Sequence, residues 1–121
     1  MTNNLIIKFT KIFFYKKYNF FRRLRLIFNI DQKINIYKLS LILPPGHLLS
    51  IYNYLYPKYD QFISKLVTKI DYNKSVIDIG ANIGDTLFRL YQNNPKLRYY
   101  SIEPEEYFFN YLKKNKKELS N

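Results

Sequence analysis

The sequence contains no cysteine and only one histidine, His47. Disulfide bonds and thiolate metal sites are therefore excluded, and the cysteine content requires no oxidising compartment. A zinc site on a single histidine would need several carboxylates nearby, and the sequence has no such cluster. We expect no metal site.

Long apolar runs are also missing. Lys and Arg interrupt the apolar segments every few residues, so none reaches the roughly 20 apolar residues of a membrane-spanning helix. A cleavable signal peptide fits poorly, because Lys8 and Lys11 break the segment that would have to be apolar. We expect a cytoplasmic protein that can associate peripherally with a membrane.

The first 30 residues contain no acidic residue, although they hold seven Lys and Arg residues. Their apolar residues approximate one face of a helix, at Leu5, Phe9, Ile12, Phe13, Phe20, Leu24 and Phe28. Such a helix either packs against the rest of the fold, which we favour, or lies on a membrane surface. A weak membrane contact through residues 5–29 is the secondary expectation.

The 121 residues are enough for one domain. Residues 1–42 are read as a basic, aromatic-rich N-terminal segment, and residues 43–121 as the start of the domain. Residues 34–43 alternate imperfectly and are either a strand or an extended lead-in, which the prolines that follow interrupt. Residues 48–56 predict a short helix. A second, amphipathic helix is predicted from the spacing of Tyr59, Phe62, Ile63, Leu66 and Ile70.

The middle of the chain has the order of elements of a parallel sheet. Val76, Ile77 and Ile79 predict a strand buried on both faces, which runs into the glycine-containing bend at residues 80–84. A helix, a second strand over residues 97–102 and another helix follow. A right-handed crossover would make the two strands parallel neighbours. The predicted fold class is α/β: the first two strands of a doubly wound parallel sheet with their helices, after a mostly helical N-terminal segment.

A glycine bend between a strand and a helix leaves backbone N–H groups at the edge where open α/β sheets bind ligands. Glycine suits this bend because it tolerates positive φ and leaves space for a ligand. Glu103 follows Gly80 at close to the roughly 20-residue spacing of an acidic ribose reader, since a carboxylate can accept hydrogen bonds from two ribose hydroxyls. The pattern predicts a nucleoside cofactor.

The bend argues against a dinucleotide. Asn82 stands where G-x-G-x-x-G has its second glycine, and Asp85 adds negative charge where a pyrophosphate would lie. A positively charged sulfonium cofactor without phosphate tolerates Asp78 and Asp85. The pattern therefore favours S-adenosylmethionine, with an NAD-binding domain as a less favoured alternative. A basic nucleic-acid- or membrane-surface-binding protein is another alternative, although no RNA-binding module signature is present and we expect no nucleic-acid partner.

Residues 76–85 (VIDIGANIGD) resemble the first motif of the FkbM family of Rossmann-like methyltransferases. Residues 102–104 (IEP) resemble its second motif, and residues 43–47 (LPPGH) and 59–62 (YDQF) resemble the lead-in to its first strand. The resemblance covers about residues 43 to 115. It implies a partial class I methyltransferase fold and a transfer of a methyl group to a hydroxyl of a sugar or metabolite, so that the partner is a small-molecule or glycan acceptor.

The resemblance also implies residue roles. Gly80, Ala81 and Gly84 would shape the turn under the methionine and ribose parts of the cofactor. Asp78 and Asn82 would contact its amino-acid end, and Glu103 would bind the ribose hydroxyls. His47, after a Pro-Pro-Gly turn, is interpreted as a surface histidine outside the site.

The sequence departs from the family after the helix that follows the second strand. It ends at Asn121, without the later strands that complete the adenine pocket and surround the acceptor. We therefore assign no catalytic residue, and we expect a truncated fragment that is inactive alone.

Overall fold

The computed structural model describes residues 2–36, 38–58 and 61–119, with residues 2–8 as backbone only. The fold is mixed α/β. In chain order its elements are α1 (Thr2–Phe28), β1 (Gln32–Ile36), β2 (Leu39–Leu43), α2 (Leu49–Leu55), α3 (Gln61–Val67), β3 (Ser75–Ile79), α4 (Asp85–Asn93), β4 (Arg98–Ile102), α5 (Glu106–Lys116) and a 3-10 turn (Lys117–Leu119). None of the helices in the described part of the chain is long and apolar enough to span a bilayer.

The first helix ends in a Schellman motif. Asn29 has a φ of 52°, and the N–H of Ile30 donates to the carbonyl of Arg25 at 2.9 Å. Asparagine is among the few residues other than glycine that adopt this left-handed conformation readily, so Asn29 reverses the chain and directs it into β1.

The strands β1 and β2 form a hairpin. β1 and β2 pair antiparallel with Gln32 opposite Leu43, so the single strand or lead-in predicted at residues 34–43 is in fact two short strands. Leu41 and Leu43 are fully buried in one cluster with Ile83 and Phe88. This cluster contains residues from both sides of the boundary predicted between residues 42 and 43.

The predicted parallel pair is present. β3 and β4 are parallel neighbours from Ser75 opposite Arg98 to Ile79 opposite Ile102, and α4 connects them. This register brings the carboxyl ends of both strands to the same edge, where the glycine bend begins.

The prediction that the first of these strands is buried on both faces is wrong. Side chains of β3 alternate, so that Val76 and Asp78 face inward whereas Ile77 and Ile79 are exposed, Ile79 by 79 %. Tyr100 and Ile102 continue this exposed apolar face on β4. An uncovered face leaves a strand half-buried, because its side chains alternate between the two sides of the sheet.

The structure also differs from the predicted apolar face of α3, because another side of this helix is buried. Val67 and Ser64 are the buried residues of this helix, whereas Phe62, Ile63 and Leu66 are exposed. Val67 packs with Leu90 of α4, and this contact determines which side of the helix is covered. Tyr59 lies outside the described residues.

Candidate functional site

The glycine bend is anchored to the end of the neighbouring strand. The N–H groups of Gly80 and Ala81 both donate to the carbonyl of Ile102, at 2.9 and 3.0 Å. These two bonds extend the sheet ladder by one step beyond β3. They bring the bend next to Glu103, the residue that follows β4.

The Glu103 carboxylate bridges two backbone N–H groups. Its Oε2 accepts from Asn82 in the bend at 2.7 Å, and its Oε1 accepts from Glu105 at 2.9 Å, just before α5. The residue predicted to share a site with the bend therefore contacts it directly. A carboxylate has about four acceptor positions, so each oxygen keeps one for a ligand hydroxyl.

The two glycines of the bend are required for different reasons. Both have positive φ, 77° at Gly80 and 92° at Gly84. A Cβ at Gly80 would meet no atom of the described residues within 4 Å, whereas a Cβ at Gly84 would lie 2.8 Å from Leu112 Cδ1. Gly80 therefore borders open space that suits a ligand, and Gly84 allows the start of α4 to approach α5.

One buried polar atom near the bend lacks a partner. Within the described residues, Asp78 Oδ2 has no well-formed hydrogen bond. Burial raises the pKa of Asp78, and the nearby charge of Asp85 raises it further. Because an unpartnered buried polar atom is costly, this oxygen is suited to a cationic or N–H-bearing ligand group.

A cleft of about 490 Å³ opens beside the bend. Asn82 and Asp85 contribute the bend side of its lining, and the other walls come from the Pro-Pro-Gly-His loop, α2 and the start of α5. Asn82 is common to the cleft and to the Glu103 contact. The cleft is therefore continuous with the predicted cofactor site.

His47 lines this cleft and was missed by the sequence interpretation. Its Nδ1 accepts the N–H of Leu49 at 3.2 Å, which leaves the proton of the neutral ring on Nε2. Burial lowers the pKa of His47, and the Asn82 side chain partly opposes that shift. The proximity of the Pro-Pro-Gly turn to the bend is a tertiary contact, so only the family-like lead-in at residues 43–47 pointed to this residue.

All six predicted cofactor-binding residues lie at one edge of the parallel pair. Ala81 is buried beneath the bend with Leu87 and Leu112, while Asp78 occupies the inner face of β3. The described residues include no group of three or more metal-ligating side chains that could hold an ion. The edge instead offers carboxylate and amide oxygens beside a neutral imidazole.

Comparisons with protein-family models, with curated proteins and with solved structures gave no match to this chain.

Proposed function

We propose that this chain is the cofactor-binding part of an S-adenosylmethionine-dependent methyltransferase of the FkbM type, with a partial Rossmann-like fold. In the proposed reaction, a methyl group passes to a hydroxyl of a sugar or metabolite. The observation that carries the proposal is the 2.7 Å hydrogen bond between the Asn82 N–H and the Glu103 carboxylate. It joins the glycine bend and the acidic residue into one site.

Glu103 is suited to bind the ribose of a nucleoside. Its two oxygens each accept one backbone N–H, which fixes the carboxylate's orientation before any ligand arrives. The remaining lone pairs can accept hydrogen bonds from two vicinal hydroxyls. Preorganisation of this kind lowers the entropic cost of binding.

The charges around the bend favour a cation over a pyrophosphate. Burial raises the pKa of Asp78, the nearby charge of Asp85 raises it further, and Asp85 lies in the first turn of α4. A phosphate near that turn would be repelled, whereas a sulfonium or ammonium group would relieve the repulsion between the two carboxylates. S-adenosylmethionine carries both groups and supplies the methyl group when bound.

The adjoining cleft is suited to the acceptor. His47 contributes an N–H donor to the lining, because its Nδ1 is already occupied by the Leu49 N–H. A donor binds a hydroxyl oxygen but does not remove its proton, so His47 is assigned to acceptor binding. We assign no catalytic base among the described residues.

Titration calorimetry of the purified chain with S-adenosylhomocysteine and with NAD tests the proposal. We expect binding of S-adenosylhomocysteine without binding of NAD. Glu103→Gln should weaken the binding by about tenfold or more, because hydrogen bonds to a charged acceptor are lost. Glu106→Gln, an exposed change in the first turn of α5, is the matched control and should bind as the unmodified chain does.

Thermal unfolding of both variants separates a lost ligand contact from a lost fold. Glu103→Gln must retain a cooperative transition for its affinity to be interpreted. Preference for NAD would contradict the proposal, as would an affinity for S-adenosylhomocysteine that Glu103→Gln leaves unchanged.

A further inference from the structure

The described contacts of α1 with the rest of the chain lie on one face of the helix. The Tyr18 hydroxyl donates to the carbonyl of His47 at 2.7 Å, and the Phe14 ring lies 5.3 Å from that of Tyr54. Arg22, one turn after Tyr18, reaches the carbonyl of Gly46 at 3.4 Å. These contacts fix the orientation of α1 on the Pro-Pro-Gly-His loop and α2.

The opposite face of α1 carries an exposed apolar stripe, defined as Phe9, Phe13, Phe20 and Ile27. Their spacings of four and seven residues align them along the helix. Phe9 and Ile27 are each nine positions from Tyr18, which at 100° per residue is half a turn away. Phe13 is 66 % exposed and Ile27 is 73 % exposed, so the stripe faces away from the domain.

Positive charge surrounds this stripe. Lys16, Lys17 and Arg23 are exposed beside it, and α1 contains no acidic residue along its 27 residues. Lys16 lies close to the line of the stripe itself. Its aliphatic stem can accompany apolar neighbours into an interface while its ammonium stays with the headgroups.

From these observations we propose that α1 lies on the surface of an anionic membrane, with the apolar stripe in the boundary between headgroups and acyl chains. Charge complementarity decides the occupant. A nucleic acid would neutralise the cations but leave four large apolar side chains in water. A second copy would bring two helices without any acidic residue against each other.

Membrane contact through the stripe leaves the candidate site accessible. The loop that lines the cleft contacts the Tyr18 side of α1, so the helix, about 10 Å across, separates it from the bilayer. The surface proposal is thus independent of the methyltransferase proposal.

Co-sedimentation of the full chain with vesicles tests the inference. We expect binding to phosphatidylcholine vesicles that contain about one-third phosphatidylglycerol, weak binding to phosphatidylcholine alone, and a decrease with added salt. Phe13→Ser with Phe20→Ser should lower partitioning by at least about tenfold. The matched control is Phe62→Ser with Tyr72→Ser, two side chains that are each 76 % exposed elsewhere, and it should bind normally.

Two triple variants, one on α1 and one on α5, test the role of the positive charges. Lys16→Gln, Lys17→Gln and Arg23→Gln together should weaken binding to the anionic vesicles by roughly a hundredfold. The same three-charge change at Lys113, Lys114 and Lys116 in the last turn of α5 should have a much smaller effect. Circular dichroism and thermal unfolding verify that each variant is folded.

Several outcomes would overturn the proposal. Equal losses in the stripe variants and their controls would show only a general effect of charge or apolar area. Binding to DNA without binding to vesicles would assign the basic surface to nucleic acid. A dimer that the Phe13→Ser and Phe20→Ser changes dissociate, in a chain that does not bind vesicles, would assign the stripe to a second copy.

Discussion

The side-chain amide of Asn115 pairs with the backbone of Ile42 as a strand would. Its Oδ1 accepts the Ile42 N–H at 2.8 Å and its Nδ2 donates to the Ile42 carbonyl at 3.0 Å. The same Nδ2 donates to the carbonyl of Ile83 in the glycine bend at 2.8 Å. One fully buried asparagine on α5 thus connects the hairpin with the candidate site.

Asn115→Leu should destabilise the fold by about 2–4 kcal/mol, because it leaves buried backbone groups of Ile42 and Ile83 without partners. Urea denaturation followed by circular dichroism measures the free energy of unfolding. Asn110→Leu, an exposed change on the same helix, is the control and should stay within about 0.5 kcal/mol of the unmodified chain. Equal effects would contradict a bridging role for Asn115.

Alanine substitutions at the two bend glycines should differ in stability. Both incur about 1–2 kcal/mol for a side chain at positive φ, but only Gly84→Ala also meets Leu112. That overlap should add about 1–3 kcal/mol of destabilisation. Chemical denaturation gives the two values, and a Gly80→Ala variant less stable than Gly84→Ala would contradict the packing argument.

Because His47 is the only histidine, NMR of its ring protons gives its pKa without ambiguity. We expect the pKa of His47 to lie below 6.5, since burial disfavours the charged ring. In Asn82→Ala the pKa of His47 should fall further, because the amide that favours the charged form is gone. An unchanged or raised value in the variant would contradict the contact.

The lowered pKa of His47 also predicts a pH dependence of stability. The unfolded chain binds more protons than the folded chain near and below pH 6.5. The effect of His47 is therefore to decrease the free energy of unfolding as pH falls. His47→Gln should remove part of that acid sensitivity. Denaturation curves collected across this pH range provide the measurement, and a slope identical to that of the unmodified chain would contradict the prediction.

The raised pKa of Asp78 predicts the opposite pH dependence of stability. Burial and Asp85 raise the pKa of Asp78, so the folded chain binds more protons than the unfolded chain. The contribution of Asp78 to stability therefore falls as pH rises from its ordinary pKa of 3.8 through the raised pKa. The change in the free energy of unfolding caused by Asp78→Asn should therefore be more stabilising at neutral pH than at acid pH. Thermal unfolding at both pH values tests this, with the exposed Asp71→Asn as the control.

The sequence allowed the prediction of those elements whose cause is local. The apolar run before Gly80, the bend itself and the spacing to Glu103 predicted the parallel pair, and they predicted that the bend and Glu103 lie at the same edge of it. The helical periodicity of the first 30 residues predicted α1. These features follow from the backbone preferences and side-chain period of a few neighbouring residues.

Other features of the fold depended on tertiary contacts between elements. The apolar residues of α3 marked a helix but not its covered side, because Phe62 and Val67 are both apolar and only contact with α4 selects between them. The sequence indicated a single segment where the structure has the hairpin of β1 and β2, since the residues between Ile36 and Leu39 include no glycine or proline.

The sequence by itself determined the chemistry available at the sheet edge: carboxylates and an amide around a glycine bend. Only the tertiary structure decided that Glu103 bonds to Asn82, that His47 joins their cleft, and that α1 turns its aromatic stripe outward. The physical reason is that residue identity fixes what a side chain can bond to. Which groups come within bonding distance depends on packing between segments far apart in the chain.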